Sequence, residues 1–331
     1  MMKKLYWALF VTMFLILHIN TAYGSVVAKV NLVLKVVDDE GKPVSDVNID
    51  GGGWIPGRYR AAHVDGITDE NGEFKTRFRT AVDFGFTLKK EGYYESRMLR
   101  YVSTVPEPRI VKGYWQPNPI KETVVLKRIK NPVPMYVKGV DEKVPVMGKP
   151  VGYDLMAGDW VAPYGKGTVA DFIINVIGEY RGPFDREIHM TVTFSNEKDG
   201  IQSFKSMPLY QETPLGSEFW SSYEAPLDGY EPIYEYERIL TLEGEGRKNS
   251  QPRFDLNFYF RVRTQLDENG NIKKAMYGKI YRDFYCHFLG EKDIYVSFMY
   301  YLNPDGTRNL EFDTKQNLFK NLGYLEGVSD P

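Results

Sequence analysis

Apolar residues recur at every second position through residues 29–128, and each such run ends in turn chemistry. Val30, Leu32, Leu34 and Val36 occupy one face of a chain with period two, which is the mark of a half-buried strand. Asp39-Glu40-Gly41 then turns the chain, and Pro43 opens a second segment over residues 44–50. Gly51-Gly52-Gly53-Trp54 begins a loop that runs to about Ala62 and carries Arg58, Tyr59 and Arg60. Asp69-Glu70-Asn71-Gly72 predicts a hairpin, because Asn-Gly accepts the positive φ that tight hairpin turns require. Further strands are expected at residues 74–78, 82–90, 97–102 and 121–129. A chain patterned this way folds as stacked antiparallel strands rather than helices.

The same period continues beyond a proline-containing segment, Lys130-Asn131-Pro132-Val133-Pro134, which is read as a linker over residues 130–135. Ile188, Met190, Val192 and Phe194 share one face of a strand, and Phe254, Leu256, Phe258, Phe260 and Val262 share one face of another. Asp267-Glu268-Asn269-Gly270-Asn271 turns the chain into a returning strand over residues 275–288, and residues 293–302 follow, giving a meander. Aromatic residues make up 15% of the chain and 24 of them are Tyr, a bias that favours strands. The expectation is an all-β protein: an N-terminal sandwich at residues 29–129 and a larger antiparallel β domain at residues 136–331.

Asp38, Gly41, Pro43, Val44, Thr68, Asp69, Gly72, Phe74, Gly92 and Tyr93 together carry a resemblance. The stretch 29–128 resembles the carboxypeptidase regulatory-like domain, whose fold is similar to that of transthyretin, also called prealbumin. The resemblance implies a β-sandwich that supports folding, display or ligand contact and brings no catalytic residues. The segments 51–66 and 104–119 are longer than that pattern. The remainder, through Lys130-Asn131-Pro132-Val133-Pro134-Met135-Tyr136, Gly158-Asp159-Trp160-Val161-Ala162-Pro163-Tyr164-Gly165-Lys166-Gly167 and Tyr277-Gly278-Lys279-Ile280-Tyr281, resembles secreted bacterial proteins that have no assigned activity.

The chain opens with Lys3-Lys4, an apolar run over residues 5–19, and Ala22-Tyr23-Gly24. This order predicts a signal peptide at residues 1–24, cleaved before Ser25. The apolar run is shorter than a bilayer span, and no later segment is long and apolar enough to serve, so no transmembrane span is expected after cleavage. The predicted location is secreted or periplasmic. Cys286 is the only cysteine, which excludes an internal disulfide and reads as a buried filler. A net charge of −2 with interspersed signs lacks the basic face that nucleic-acid binding needs.

Catalytic signatures are sparse. Outside the leader the histidines are His63, His189 and His287, too scattered for a zinc site, and no nucleophile-elbow motif occurs. No cofactor is called for. Asp154, Asp159 and Asp171 lie within 18 positions, among Trp160 and Tyr164; they suit either a cation site or the carboxylate pair of a hydrolase acting on envelope or polysaccharide substrates, and equally suit turn chemistry. Tyr277, Lys279, Tyr281 and Asp283 alternate with Tyr295, Ser297, Met299 and Tyr301 on the second face of the meander. Such a face either packs beneath other chain or stacks on sugar rings. The leading reading is an exported, non-catalytic binding or structural module of the cell envelope. Its partners would be carbohydrate or an envelope protein, contacted through Trp54, Trp115, Trp160, Tyr164, Tyr281 and Tyr295.

Overall fold

A computed structural model describes residues 26–57, 62–102, 110–206, 209–210, 213–214, 216–242, 247–250 and 253–331. The expected signal peptide, Arg58, Tyr59 and Arg60 lie outside the described residues, as do Val105-Pro106-Glu107-Pro108. Among the described residues there is no helix, and the strands form mainly antiparallel sheets, so the chain is all-β as the alternation implies. Two compact units interleave along the sequence. The first contains residues up to Lys35 with Val44–Thr87 and Leu99–Thr123; the second contains Val36–Pro43, Leu88–Met98 and Val124–Pro331.

In the first unit, Ala28–Lys35 of the strand Ala28–Asp38 pairs antiparallel with Glu73–Thr80, from Ala28 opposite Thr80 to Lys35 opposite Glu73. That register turns Val30, Leu32 and Leu34 inward with Phe78. Phe78, Phe84 and Phe86 meet edge to face with centroids 5.2–6.2 Å apart. Two local expectations come out differently. Gly51, Gly52 and Gly53 belong to the strand Asn48–Gly53, which pairs with Ala62–Ile67, and do not open a loop. A Cβ on Gly51 would lie 2.1 Å from the Gly85 carbonyl oxygen, so the glycines are there for close backbone approach. The Asn71-Gly72 turn forms, with Gly72 at φ 69° and the Asp69 carboxylate accepting the amides of Asn71 and Glu73. The strands it joins belong to different sheets, however, so it is a crossover turn and not a hairpin.

The second unit stacks two sheets. One runs in the order Gly200–Lys205, Leu256–Leu266, Ile272–Ile280, Asp293–Asn303, Val133–Lys143, Phe312–Asn317, with Tyr285–Leu289 added on Asp293–Asn303. The other runs Asp159–Trp160, Val151–Asp154, Phe172–Gly182, Asp185–Thr193, Ile233–Thr241, Lys248–Asn249. Their inner faces share one core, in which Phe172, Ile174, Val176, Met190 and Val192 meet Phe258, Phe260, Ile280, Phe298 and Tyr300. The segment read as a linker is held in place: the amides of Lys130 and Asn131 donate to the Glu311 carboxylate at 2.8 and 2.7 Å, and Val133 begins a strand.

The second face of the first sheet is packed, not open. Tyr277, Tyr281 and Tyr301 are buried beside Phe204, Trp220, Ala225 and Tyr230. Lys279 is fully buried among them. Its Nζ donates to the Tyr281 hydroxyl at 2.9 Å and lies 4.5–4.7 Å from the ring centroids of Phe219, Tyr281 and Tyr301. Burial pulls this ammonium well below the usual lysine range, and the ring faces supply the negative quadrupole it needs.

Candidate ligand-binding site

The returning strand expected over residues 275–288 is broken. Ile280 pairs with Tyr300, while the next paired residue, Tyr285, faces Ser297. Four residues, Tyr281 to Phe284, therefore stand opposite two, Phe298 and Met299. The surplus is absorbed at Arg282, which takes φ 70°. The bulge is pinned on both sides: the Tyr281 amide donates to the Met299 carbonyl at 3.2 Å, and the Arg282 amide donates to Asn257 Oδ1 at 2.8 Å.

This break opens a cavity of about 590 Å³ within the second unit. Its walls come from the bulge, from Tyr236, Glu237 and Arg238 on the strand Ile233–Thr241, from Arg253 and Phe254, and from Ser297–Met299. Leu325 and Asp330 complete it. The size falls in the range of small-molecule sites, and the lining mixes ring faces with a few fixed polar groups, as such sites do.

The polar groups divide into engaged and available ones. Arg253 donates to the Asp283 carboxylate at 2.8 Å and to the Tyr234 hydroxyl at 2.7 Å, and that hydroxyl also donates to Asp283, closing a triangle. Burial pushes the Asp283 carboxyl above the usual carboxylate range, against the pull of Tyr234 and Arg253. Glu237 accepts from Lys248 at 2.7 Å and is held below its ordinary range by that bond. Arg238 donates through Nη1 to the Cys286 carbonyl at 2.9 Å and lies over the Tyr285 ring, 4.3 Å from its centroid. Tyr236 accepts the Cys286 amide at 3.3 Å, and burial pushes its hydroxyl up to about 12. Burial likewise raises the Cys286 thiol to about 12, so this cysteine is an inert filler.

A row of rings continues from the rim. Tyr285, His287 and Tyr295 form a row, with neighbouring centroids 5.6 and 5.7 Å apart and neighbouring planes tilted by 32° and 31°. All three are half-buried. His287 and Tyr295 face each other directly across paired strands. Ser297, which also lines the cavity, donates to Asp141 at 2.6 Å.

Of the six contact residues expected from sequence, the structure brings two to this region, and Asp283, Ser297 and Met299 of the meander's second face line the cavity as well. Tyr281 lines the cavity, though it is only 2% exposed and its hydroxyl accepts the amides of Trp220 and Ser221. Tyr295 belongs to the ring row. Trp160 is buried against Tyr153, and Tyr164 is exposed on its own turn. Trp54 and Trp115 belong to the first unit, where Trp54 is exposed and Trp115 is buried with its Nε1 donating to the Thr80 carbonyl.

The three aspartates have structural partners. Asp154 accepts the amides of Met156, Ala157, Thr168 and Val169, and Asp159 accepts those of Trp160 and Lys166. Arg263 bridges Asp154 and Asp171 at 2.8 and 2.7 Å. None of the three lines the cavity, and no cluster of metal-ligating side chains occurs among the described residues.

Sequence reasoning missed Tyr236, Arg238, Arg253, Phe254 and Tyr285. One signal was present: Tyr234, Tyr236 and Arg238 alternate over Ile233–Thr241, which reads as a strand with an aromatic face ending in a cation.

No family model and no curated protein matches this sequence. Among solved structures, 3-chlorocatechol 1,2-dioxygenase from Rhodococcus opacus 1CP is 17% identical over 31% of this chain and 60% of that one, with a TM-score of 0.24. Chlorocatechol 1,2-dioxygenase from Pseudomonas putida is 15% identical over 31% and 61%, with a TM-score of 0.25. This chain thus matches 60–61% of the length of those two dioxygenases. A protein of Bacteroides uniformis proposed to bind carbohydrate is 11% identical over 81% of this chain and 97% of that one, with a TM-score of 0.19. These likenesses are too remote to assign a family.

Proposed function

We propose that this chain is an exported, non-catalytic binding protein of the cell envelope that takes a carbohydrate into the cavity at the strand break. The observation that carries the reading is a cavity of about 590 Å³ that shares Tyr285 with the half-buried row of Tyr285, His287 and Tyr295. Ring faces accept the apolar C–H faces of a sugar, while fixed donors and acceptors at the cavity wall take its hydroxyls. Phe254, 41% exposed, and Tyr285 offer such ring surface, with Ser297 and the polar residues of the wall beside them. Binding is favoured over hydrolysis because Asp283 is bonded to both Tyr234 and Arg253 and Glu237 to Lys248. The leader-like residues 1–24 support export, to the periplasm or beyond the cell. The resemblance of residues 29–128 to a carboxypeptidase regulatory-like domain supports an accessory role.

A glycan array probed with the mature chain and with its Tyr285→Ala variant tests this. The expected result is a restricted set of glycans bound by the wild type and lost by the variant at unchanged thermal stability. Binding to no glycan, or an identical pattern for both proteins, contradicts it.

A further inference from the structure

Resting on that reading, we infer that the sugar is acidic and that Arg238 takes its carboxylate. The charged groups lining the cavity are Glu237, Arg238, Arg253, Arg282, Asp283 and Asp330. Arg253 and Asp283 neutralise each other, Glu237 is held by Lys248, and Arg282 and Asp330 contribute one charge of each sign. Arg238 differs. Among the described residues it has no carboxylate within ion-pairing distance, and of its five N–H donors only Nη1 has an acceptor there, the Cys286 carbonyl at 2.9 Å.

The guanidinium is also fixed in place. Stacking on the Tyr285 ring and the bond to the Cys286 carbonyl set its plane, so little freedom is lost when an anion arrives. A planar, preoriented fork with spare donors matches a carboxylate in bidentate geometry. The guanidinium covers one face of the Tyr285 ring, so a sugar meets that ring at its edge, where the spare donors of Arg238 border it. A sulfate ester would offer the same anionic oxygens, but in a tetrahedral array; the planar fork favours the uronate carboxylate.

Calorimetry at low salt on the mature chain separates the possibilities, using oligosaccharides of matched length: a uronate oligomer, its methyl ester, and a sulfated neutral oligomer. The uronate should bind about ten-fold or more tighter than its ester, the worth of one charge-assisted pair. Arg238→Gln should bring the uronate down to the affinity of the ester and leave the ester unchanged. The acid–ester comparison uses the wild type alone, so it stands even if the variant misfolds. Equal affinity for acid and ester overturns the acidic-sugar inference and leaves the carbohydrate reading intact. Preference for the sulfated oligomer overturns the carboxylate assignment. Binding of none of the three, together with an empty glycan array, removes both.

Discussion

Arg263 holds two carboxylates at once, and this explains the densest cluster of acidic and aromatic residues in the chain. Its Nε and Nη2 reach Asp171, Nη2 also reaches Asp154, and both carboxylate side chains are 5% exposed or less. Burial works against ionisation of Asp154, yet the amides of Thr168, Ala157 and Val169, with Arg263, hold it below the usual range. Removing the cation would leave two buried carboxylates without a counter-charge. Arg263→Leu should therefore destabilise the protein by about 3–5 kcal/mol, read as a shift in the denaturant midpoint. A loss below about 1 kcal/mol would mean the pair is far better solvated than its geometry implies. The carboxylates were visible in the sequence as Asp154 and Asp171, but their partner sits about a hundred positions away on another strand, and only the folded register brings it there. A Cβ on Gly278 would lie 2.2 Å from the Phe260 ring and 2.3 Å from the Tyr301 carbonyl oxygen, so Gly278→Ala should cost about 1–3 kcal/mol as an overpacked core does. Equal midpoints for the variant and wild type would contradict that.

The decisive element is the bulge between Ile280 and Tyr285. Two residues are surplus, so deleting Arg282 and Asp283 restores the pairing register and keeps the side-chain alternation, with Tyr281 followed by Phe284. The deletion should leave a folded protein, weakened by about 1–3 kcal/mol through the lost partners of Asn257, Tyr234 and Arg253. Glycan binding should vanish with the cavity. Retained binding in a folded deletion variant would place the site elsewhere. Next to the bulge, burial holds His287 below the usual histidine range; Asp141 opposes this, while Arg238 and Arg186 reinforce it. As pH falls below about 6.5, the unfolded chain takes up a proton that folded His287 resists, so stability drops. His287→Phe should flatten the thermal-stability profile between about pH 6.5 and 5 relative to wild type. Parallel profiles would contradict it. The bulge was not legible in advance, because Tyr281 to Phe284 continue the aromatic character of the strand on either side. What breaks the ladder is the partner's register, which the local sequence does not contain.

At the scale of the whole molecule, period-two alternation was enough to establish an all-β chain, since Val30-to-Leu34 and Phe258-to-Val262 point to cores that do form. Alternation could not say which strands share a sheet. Val133–Lys143 lies between Asp293–Asn303 and Phe312–Asn317, yet its two prolines' neighbourhood and the sequence Lys138-Gly139-Val140-Asp141 hide it. Lys138 is itself buried, held by Glu142 and Glu326 at 2.8 and 3.0 Å, so a charge that reads as surface is part of the fold. The tyrosine-rich face of the meander illustrates the same limit: its residues were identifiable, but the chain that covers Tyr277, Lys279 and Tyr281 was not. The functional proposal rests on where the cover and the sheet leave space.

Hydrogen exchange with and without the tightest-binding array glycan tests that placement most directly. The expected result is slowed exchange at residues 236–238 and 281–285, with little change at Trp54, Trp115 or the turn carrying Tyr164. Protection confined to those other positions, with the cavity unchanged, would contradict it.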